Sequence, residues 1–201
     1  MVAPYISDEV KLRPVPSVPE ILDVFDRPAA DALPARSHKF GTRSSSELTE
    51  ELDGAAEWLG VGVEEILLAA LGRTFGRTRG EGAVDVDVTG GHRWASRPVS
   101  MICAAGQPMG PTEMLQGAHS VLAGAPFRAG AQSEVLLNVA NGVVDRPCTR
   151  PLELRVQRVD GLLQIDWWYD ESRLDAYSVE EMAEQFPLAV IEITSDAAAP
   201  L

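Results

Sequence analysis

The sequence predicts an α+β fold, a mixed β-sheet with helices packed on it. Three observations carry this. From Ser37 onward, apolar residues at helical spacing alternate with short Val- and Leu-rich runs that read as strands. Two of those runs are separated only by Asp160–Gly161, which makes them a β-hairpin with a two-residue turn. The chain has 201 residues, 45% of them hydrophobic and 23% charged, enough for one sizeable core.

Each element follows from local chemistry. The first 36 residues hold six of the 14 prolines. Proline fixes φ and removes a donor, so 1–36 reads as an extended arm or linker, with at most one short helix near Pro19–Phe25. Two readings of the arm stand side by side: a free leader, or a segment packed on the body through Ile21, Leu22, Val24 and Phe25. The remainder, 37–201, reads as one lobe that opens with a strand carrying His38. "RSSSELTEELDGAAEWLG" then gives a helix with a capping box of Ser44 and Glu47, a stripe of Leu48, Leu52, Ala55, Ala56 and Leu59, and a stop at Gly60. A second helix carries Glu64 and Glu65 in its first turn and Arg73, Arg77 and Arg79 at its end, the sign order the helix dipole favours. Its middle, "ILLAALGRTF", is apolar nearly all round and belongs in the core.

"GAVDVDVTGGHRW" is the first stretch that raises the question of a metal. Val84, Val86 and Val88 fall on one strand face, Asp85 and Asp87 on the other, and Gly90–Gly91 end the strand. Two aspartates with His92 are too few oxygen ligands for a hard cation and an unusual zinc set. A half-exposed strand with a solvated acidic face accounts for the same residues. "RPVSMICAAGQPM" is a further strand. "PTEMLQGAHSVLAG" is a helix opened by Pro111 and closed at Gly124, and "SEVLLNVANGVVD" is a strand followed by an Asn141–Gly142 turn.

In the hairpin, the turn pairs Val159 with Leu162. Counting outward sets Leu152 opposite Tyr169, Leu154 opposite Trp167 and Val156 opposite Ile165 on one side. Arg155 then faces Asp166 on the other side, where Trp168 lies beside Glu153, either covered by a loop or exposed as a partner anchor. A last helix, capped by Ser178 with Glu181, buries Val179, Met182, Ala183, Phe186, Val190 and Ile193, and Pro187 is expected to kink or interrupt it.

Charge limits the partners. Seventeen Lys and Arg against 30 Asp and Glu leave a net −13, which repels phosphate backbones and anionic lipid, so neither nucleic acid nor membrane is expected. No apolar run approaches the ~18 residues of a membrane span. Cys103 and Cys148 are isolated, and the N-terminal "MVAPYISDEVKLRP" lacks the layout of a signal peptide, so a reducing cytoplasm is expected.

Several phrases, in this order, resemble the C-terminal lobe of condensation domains of nonribosomal peptide synthetases. "LTEELDGAAEWLGVGVEEILLAALGRTFGRTRGEGAVDVDVTGGHR" is similar to that lobe's opening, and "LAGAPFRAG…EVLLNVANGVVD" to a later region best developed in the epimerization-type branch. "LELRVQRVDGLLQIDWWYDESRLDAYSVEEMAEQF" is similar to its terminal hairpin and helix. The resemblance runs from about Ser37 to Thr194 and implies a chloramphenicol acetyltransferase-like half, one lobe of a normally two-lobed domain. The family's catalytic HHxxxDG belongs to the other lobe. Here His38, His92 and His119 each lack a neighbouring histidine and a following Asp-Gly, and the chain is expected to be too short for two lobes.

The chemistry-bearing residues point the same way. None of the three histidines has an evident nucleophile and orienting carboxylate beside it in sequence, so each reads as a surface or satisfied histidine. Cys103 lies in an apolar strand as a buried thiol, and no G-x-S-x-G is present. Arg73 and Arg77, four apart with Arg79 beyond, either complement their helix end or meet a carrier protein's phosphopantetheine. No catalytic, cofactor-binding or metal-ligating residue is assigned. The expected role is a non-catalytic, truncated condensation-like module. It would bind a peptide-synthetase carrier protein, a neighbouring domain or a tailoring enzyme. Two alternatives remain: half of a split condensation enzyme completed by an HHxxxDG lobe, or an acyltransferase whose site forms between identical subunits around a histidine.

Overall fold

The computed structural model describes residues 20–29, 36–90, 96–126, 133–140, 148 and 150–201. Its elements run β1 (Ser37–Arg43), α1 (Ser46–Leu59), α2 (Val63–Thr78), β2 (Gly82–Gly90), β3 (Arg97–Cys103), α3 (Pro111–Gly124), β4 (Val135–Ala140), β5 (Leu152–Val159), β6 (Leu162–Asp170) and α4 (Ala176–Asp196). This is the predicted order. The six described strands form one mixed sheet, β1-β6-β5-β4-β2-β3. β4 runs parallel to both β2 and β5, and the other pairs are antiparallel.

One sheet face is apolar. Val84, Val86 and Val88, Leu152, Leu154 and Val156, and Ile165, Trp167 and Tyr169 join the buried stripes of the helices in one core. The hairpin register is the predicted one, Val159 with Leu162 through Leu152 with Tyr169. Its turn holds Asp160 at φ 54° and Gly161 at φ 81°, the positive pair that lets a two-residue turn follow the strand twist. α2 is buried from Ile66 to Gly76, as its composition requires. Gly76 lies against the chain just after β3, where a Cβ would fall 2.2 Å from the Ala104 carbonyl carbon. Only a glycine permits that approach.

Local expectations fail where tertiary partners are stronger. The helix expected near Pro19–Phe25 is absent from the described part, Glu20–Phe25, which is extended. Ala83 exchanges both backbone bonds with it, Leu22 N donating to Ala83 O and Ala83 N to Glu20 O, each at 2.8 Å. Val24 is buried, Leu22 and Phe25 pack on the core, and Ile21 stays exposed. Ser45, not Ser44, caps α1, accepting from Leu48 N at 3.2 Å, because Ser44 N already donates to Leu163 O at 2.9 Å. α4 starts two residues before Ser178, whose hydroxyl donates instead to Asp26 at 3.0 Å. α4 also passes unbroken through Pro187, as Phe186, Ala189 and Val190 around it are buried. His92, the Asn141–Gly142 turn and residues 1–19 and 30–35 of the arm lie outside the described residues.

Asp26 fastens residues 20–29 to the lobe. Its carboxylate accepts from Asp175 N at 2.7 Å and from the Ser178 hydroxyl, and pairs with Arg79 at 2.8 Å. Burial alone would raise its pKa, but these three donors together hold the carboxyl below its ordinary 3.8. A carboxyl with a depressed folded value adds stability above 3.8 and forfeits it as pH falls through that lower value.

Asp26→Asn is therefore expected to cost about 1–3 kcal/mol at pH 7 and to blunt the acid sensitivity. Urea midpoints at pH 7 and pH 3 check this, and identical midpoints for both proteins would contradict it. Gly76→Ala is expected to cost at least ~2 kcal/mol by overpacking against Ala104, read as a drop in thermal midpoint.

Candidate functional site

The other sheet face carries the polar residues, and its centre is closed to water while Lys39 and Asp85 toward its margins are exposed. Asp87 and Glu153 are 0% exposed, Arg155 1% and Asp166 2%. The expected solvated acidic face of β2 is thus corrected: Asp85 is exposed but Asp87 is not. Strand alternation puts Lys39, Trp168, Glu153, Leu136 and Asp87 in one row across the sheet, with Asp166, Arg155, Asn138 and Thr89 in the next.

Burial obliges these groups to find partners. Arg155 grips Glu153 with two donors, Nε at 2.7 Å and Nη2 at 3.0 Å. Asn138 Nδ2 adds a third bond to Glu153 at 3.0 Å, and its oxygen accepts from Thr89 at 2.8 Å. Asp166 accepts from Gln157 at 3.2 Å and Gln164 at 3.0 Å, and pairs with Lys39 at 2.9 Å. The Arg155 guanidinium lies 4.6 Å from the Trp168 ring centre, so Trp168 serves as a platform for a buried cation. Asp87 accepts from Ser133 N at 3.2 Å and Oγ at 3.1 Å and pairs with Arg150 at 3.0 Å. Cys148 lies over the same face. Burial, with Glu153 adding to it, pushes its thiol up to about 11. These carboxylates are each held by protein cations and donors, so this face is a polar wall of closed pairs.

The predicted candidates do not converge on it. His38 lies at the mouth of a cavity of about 820 Å³ bordered by Arg27, Tyr169, Leu174 and Asp175, with Nε2 2.7 Å from Glu171. Burial, then Glu171 and Glu180, raise the Tyr169 phenol there. His119 Nδ1 is 3.0 Å from Glu65 between α3 and α2. Cys103 is buried, its thiol pushed up to about 12 by burial. The arginines form no phosphate patch. Arg73 is fully buried, donating to Ala104 O at 2.8 Å and Met109 O at 2.7 Å, with Glu192 3.2 Å from Nε. Arg77 pairs with Glu192 and Arg79 with Asp26. Among the described residues, no group of three His, Cys, Asp or Glu is placed to hold a metal ion. A smaller cleft of about 360 Å³ opens where the N-terminus of α2 meets the ends of β2, β4 and β5, lined by Val63, Glu64, Val139, Gln157 and Arg158. No described helix is long and apolar enough to cross a membrane.

Sequence reasoning missed Glu153, Asn138 and Gln157 as buried groups. The available signal was Trp168 on the nominally polar side, since an indole there needs cover. Glu153→Ala removes the buried carboxylate that accepts from Arg155 and Asn138 and is expected to cost about 3–5 kcal/mol, whereas Glu153→Leu with Arg155→Leu recovers most of that. Urea denaturation of the three proteins checks it; equal midpoints for the single and double variants would contradict it.

No family model matches this chain. It is 30% identical over 229 aligned positions to a phenolphthiocerol/phthiocerol polyketide synthase component of Mycobacterium tuberculosis, across 86% of this chain. The Mycobacterium bovis counterpart matches at the same 30%. This chain spans 15% of the length of those synthase polypeptides. In structure it resembles the epimerization domain from the third module of tyrocidine synthetase B, with TM-score 0.69 and 13% identity, over 85% of this chain and 50% of that one. The cyclization–docking bidomain from Sorangium cellulosum gives 0.65 and 13% over 90% and 46%. The enacyloxin polyketide synthase condensation domain gives 0.57 and 16% over 82% and 42%. In fold, then, the chain resembles one lobe of the condensation and epimerization domains of nonribosomal peptide synthetases.

Proposed function

We propose that this lobe is a non-catalytic interaction module of an assembly-line synthase, binding a carrier protein, a neighbouring domain or a tailoring enzyme. One observation carries the reading. Among the described residues, the sheet face free of helices holds a satisfied ionic network and no histidine, while His38 and His119 each pair with a carboxylate elsewhere. A transferase base must reach the attacking group, and among the described residues neither histidine is hydrogen-bonded to a hydroxyl or thiol, although Tyr169 and Ser172 line the cavity beside His38. The relatives support the setting, since the matched polypeptide belongs to a polyketide synthase and the matched folds to peptide synthetases.

A second reading is favoured by coverage, as the chain spans 50% of the epimerization domain it resembles. In that reading it is half of a split transferase, active only beside a lobe carrying HHxxxDG.

Calorimetry against the carrier proteins and neighbouring domains of the same synthase separates the two. The module reading expects a micromolar complex whose affinity is unchanged in His38→Ala and His119→Ala. Acyl transfer by the chain mixed with an HHxxxDG lobe beyond what that lobe gives by itself, or transfer by the chain alone that either substitution abolishes, would overturn it.

A further inference from the structure

α4 has a second side that the core does not use. Its buried stripe is Val179, Met182, Ala183, Phe186, Ala189, Val190 and Ile193. On the opposite side, Tyr177, Glu181, Glu184, Leu188, Ile191 and Ser195 recur at alternating steps of four and three residues and are all exposed. The resulting seam is apolar at Leu188 and Ile191 and acidic at Glu181 and Glu184. Leu188 is 53% exposed, Ile191 42% and Tyr177 77%. A leucine and an isoleucine adjacent on one helix face, with no described residue over them, mark a surface awaiting a partner.

Charge identifies the occupant. α4 carries five acids and no lysine or arginine. Among the described residues, Glu192 is held by Arg73 and Arg77, while Glu180, Glu181 and Glu184 line the seam or its flank without a cation. A second copy of the chain is a poor fit. It would bring glutamates against glutamates, or bury them on Leu188 and Ile191, between bodies of net charge −13 each. An anionic lipid surface is repelled for the same reason.

We propose that this seam docks an amphipathic helix of a partner protein, with aliphatic residues packed on Leu188 and Ile191 and lysines or arginines over Glu180, Glu181 and Glu184. The inference rests on the interaction-module reading and gives it a surface. α4 is already ordered by its buried stripe, so docking adds no ordering cost on this side.

The test uses the whole chain and a synthetic peptide of about three heptads, leucine at the positions set over Leu188 and Ile191 and lysine at the flanks, over Glu180, Glu181 and Glu184, with fluorescence anisotropy as the readout. A peptide of the same composition in shuffled order is the control. The heptad peptide is expected to bind at least about tenfold tighter than the shuffled one, and Leu188→Ser with Ile191→Ser to weaken it about tenfold. Glu181→Lys with Glu184→Lys is expected to weaken it similarly and to restore binding of a peptide with glutamate at the flanks. All four positions are exposed, so circular dichroism should show unchanged folding. Equal binding by the seam variants, or by the shuffled peptide, overturns the proposal, as does self-association that the Leu188 and Ile191 changes abolish. In each case, the calorimetric test with synthase proteins stands or falls by itself, so loss of this seam is distinguishable from loss of the module reading.

Discussion

The ion pair between Glu153 and Arg155, two residues apart on β5, is the constraint around which the lobe is arranged. Both are cut off from water, so their partners must be held in place by the strands around them. β4 supplies Asn138, β6 supplies the Trp168 ring, and the hairpin turn sets β6 in step with β5. A slip of one residue would turn Glu153, Arg155 and Gln157 into the helical core and Leu152, Leu154 and Val156 out of it. Such a slip would abandon two buried charges and three core side chains at once. The register is thus defended from both faces of the sheet.

The same constraint explains which parts of the structure were legible in the sequence. The hairpin register followed from a turn whose geometry is local, and the core stripes of α1, α2 and α4 from periodicity, which needs no knowledge of neighbours. What remained hidden was the cover on the second face. Alternation on β2 and β5 separates two kinds of side chain but does not say that both kinds are dry, so Asp87 and Glu153 resemble solvent-facing residues until the fold is known. Smaller errors have the same root. Ser44 lost the capping role because its N–H was engaged by β6, and Ser178 lost it because Asp26 captured its hydroxyl. Arg73 read as a helix-end charge, yet it reaches inward to the loop after β3.

The histidines bear most directly on function. The fold matches those solved domains with TM-scores of 0.57–0.69 at identities of only 13–16%. At that distance architecture survives where chemistry need not, because packing accepts many sequences and catalysis few. His38 and His119 belong to separate carboxylate pairs on separate elements, and the polar wall holds its charges in closed pairs.

The stitching of residues 20–29 has a consequence for how the protein is made. Asp26 and Arg27 bond to Arg173 and Asp175, the carboxylate of Asp26 meeting an N–H 149 residues further along the chain. During synthesis those early residues leave the ribosome long before their partners exist. They must wait, undocked, until the last helix has emerged and begun to form. Closure of the lobe is therefore a late, long-range event, and a nascent chain stalled ahead of α4 would hold Asp26 and Arg27 without their partners at Arg173 and Asp175, open to chaperones and to other nascent chains.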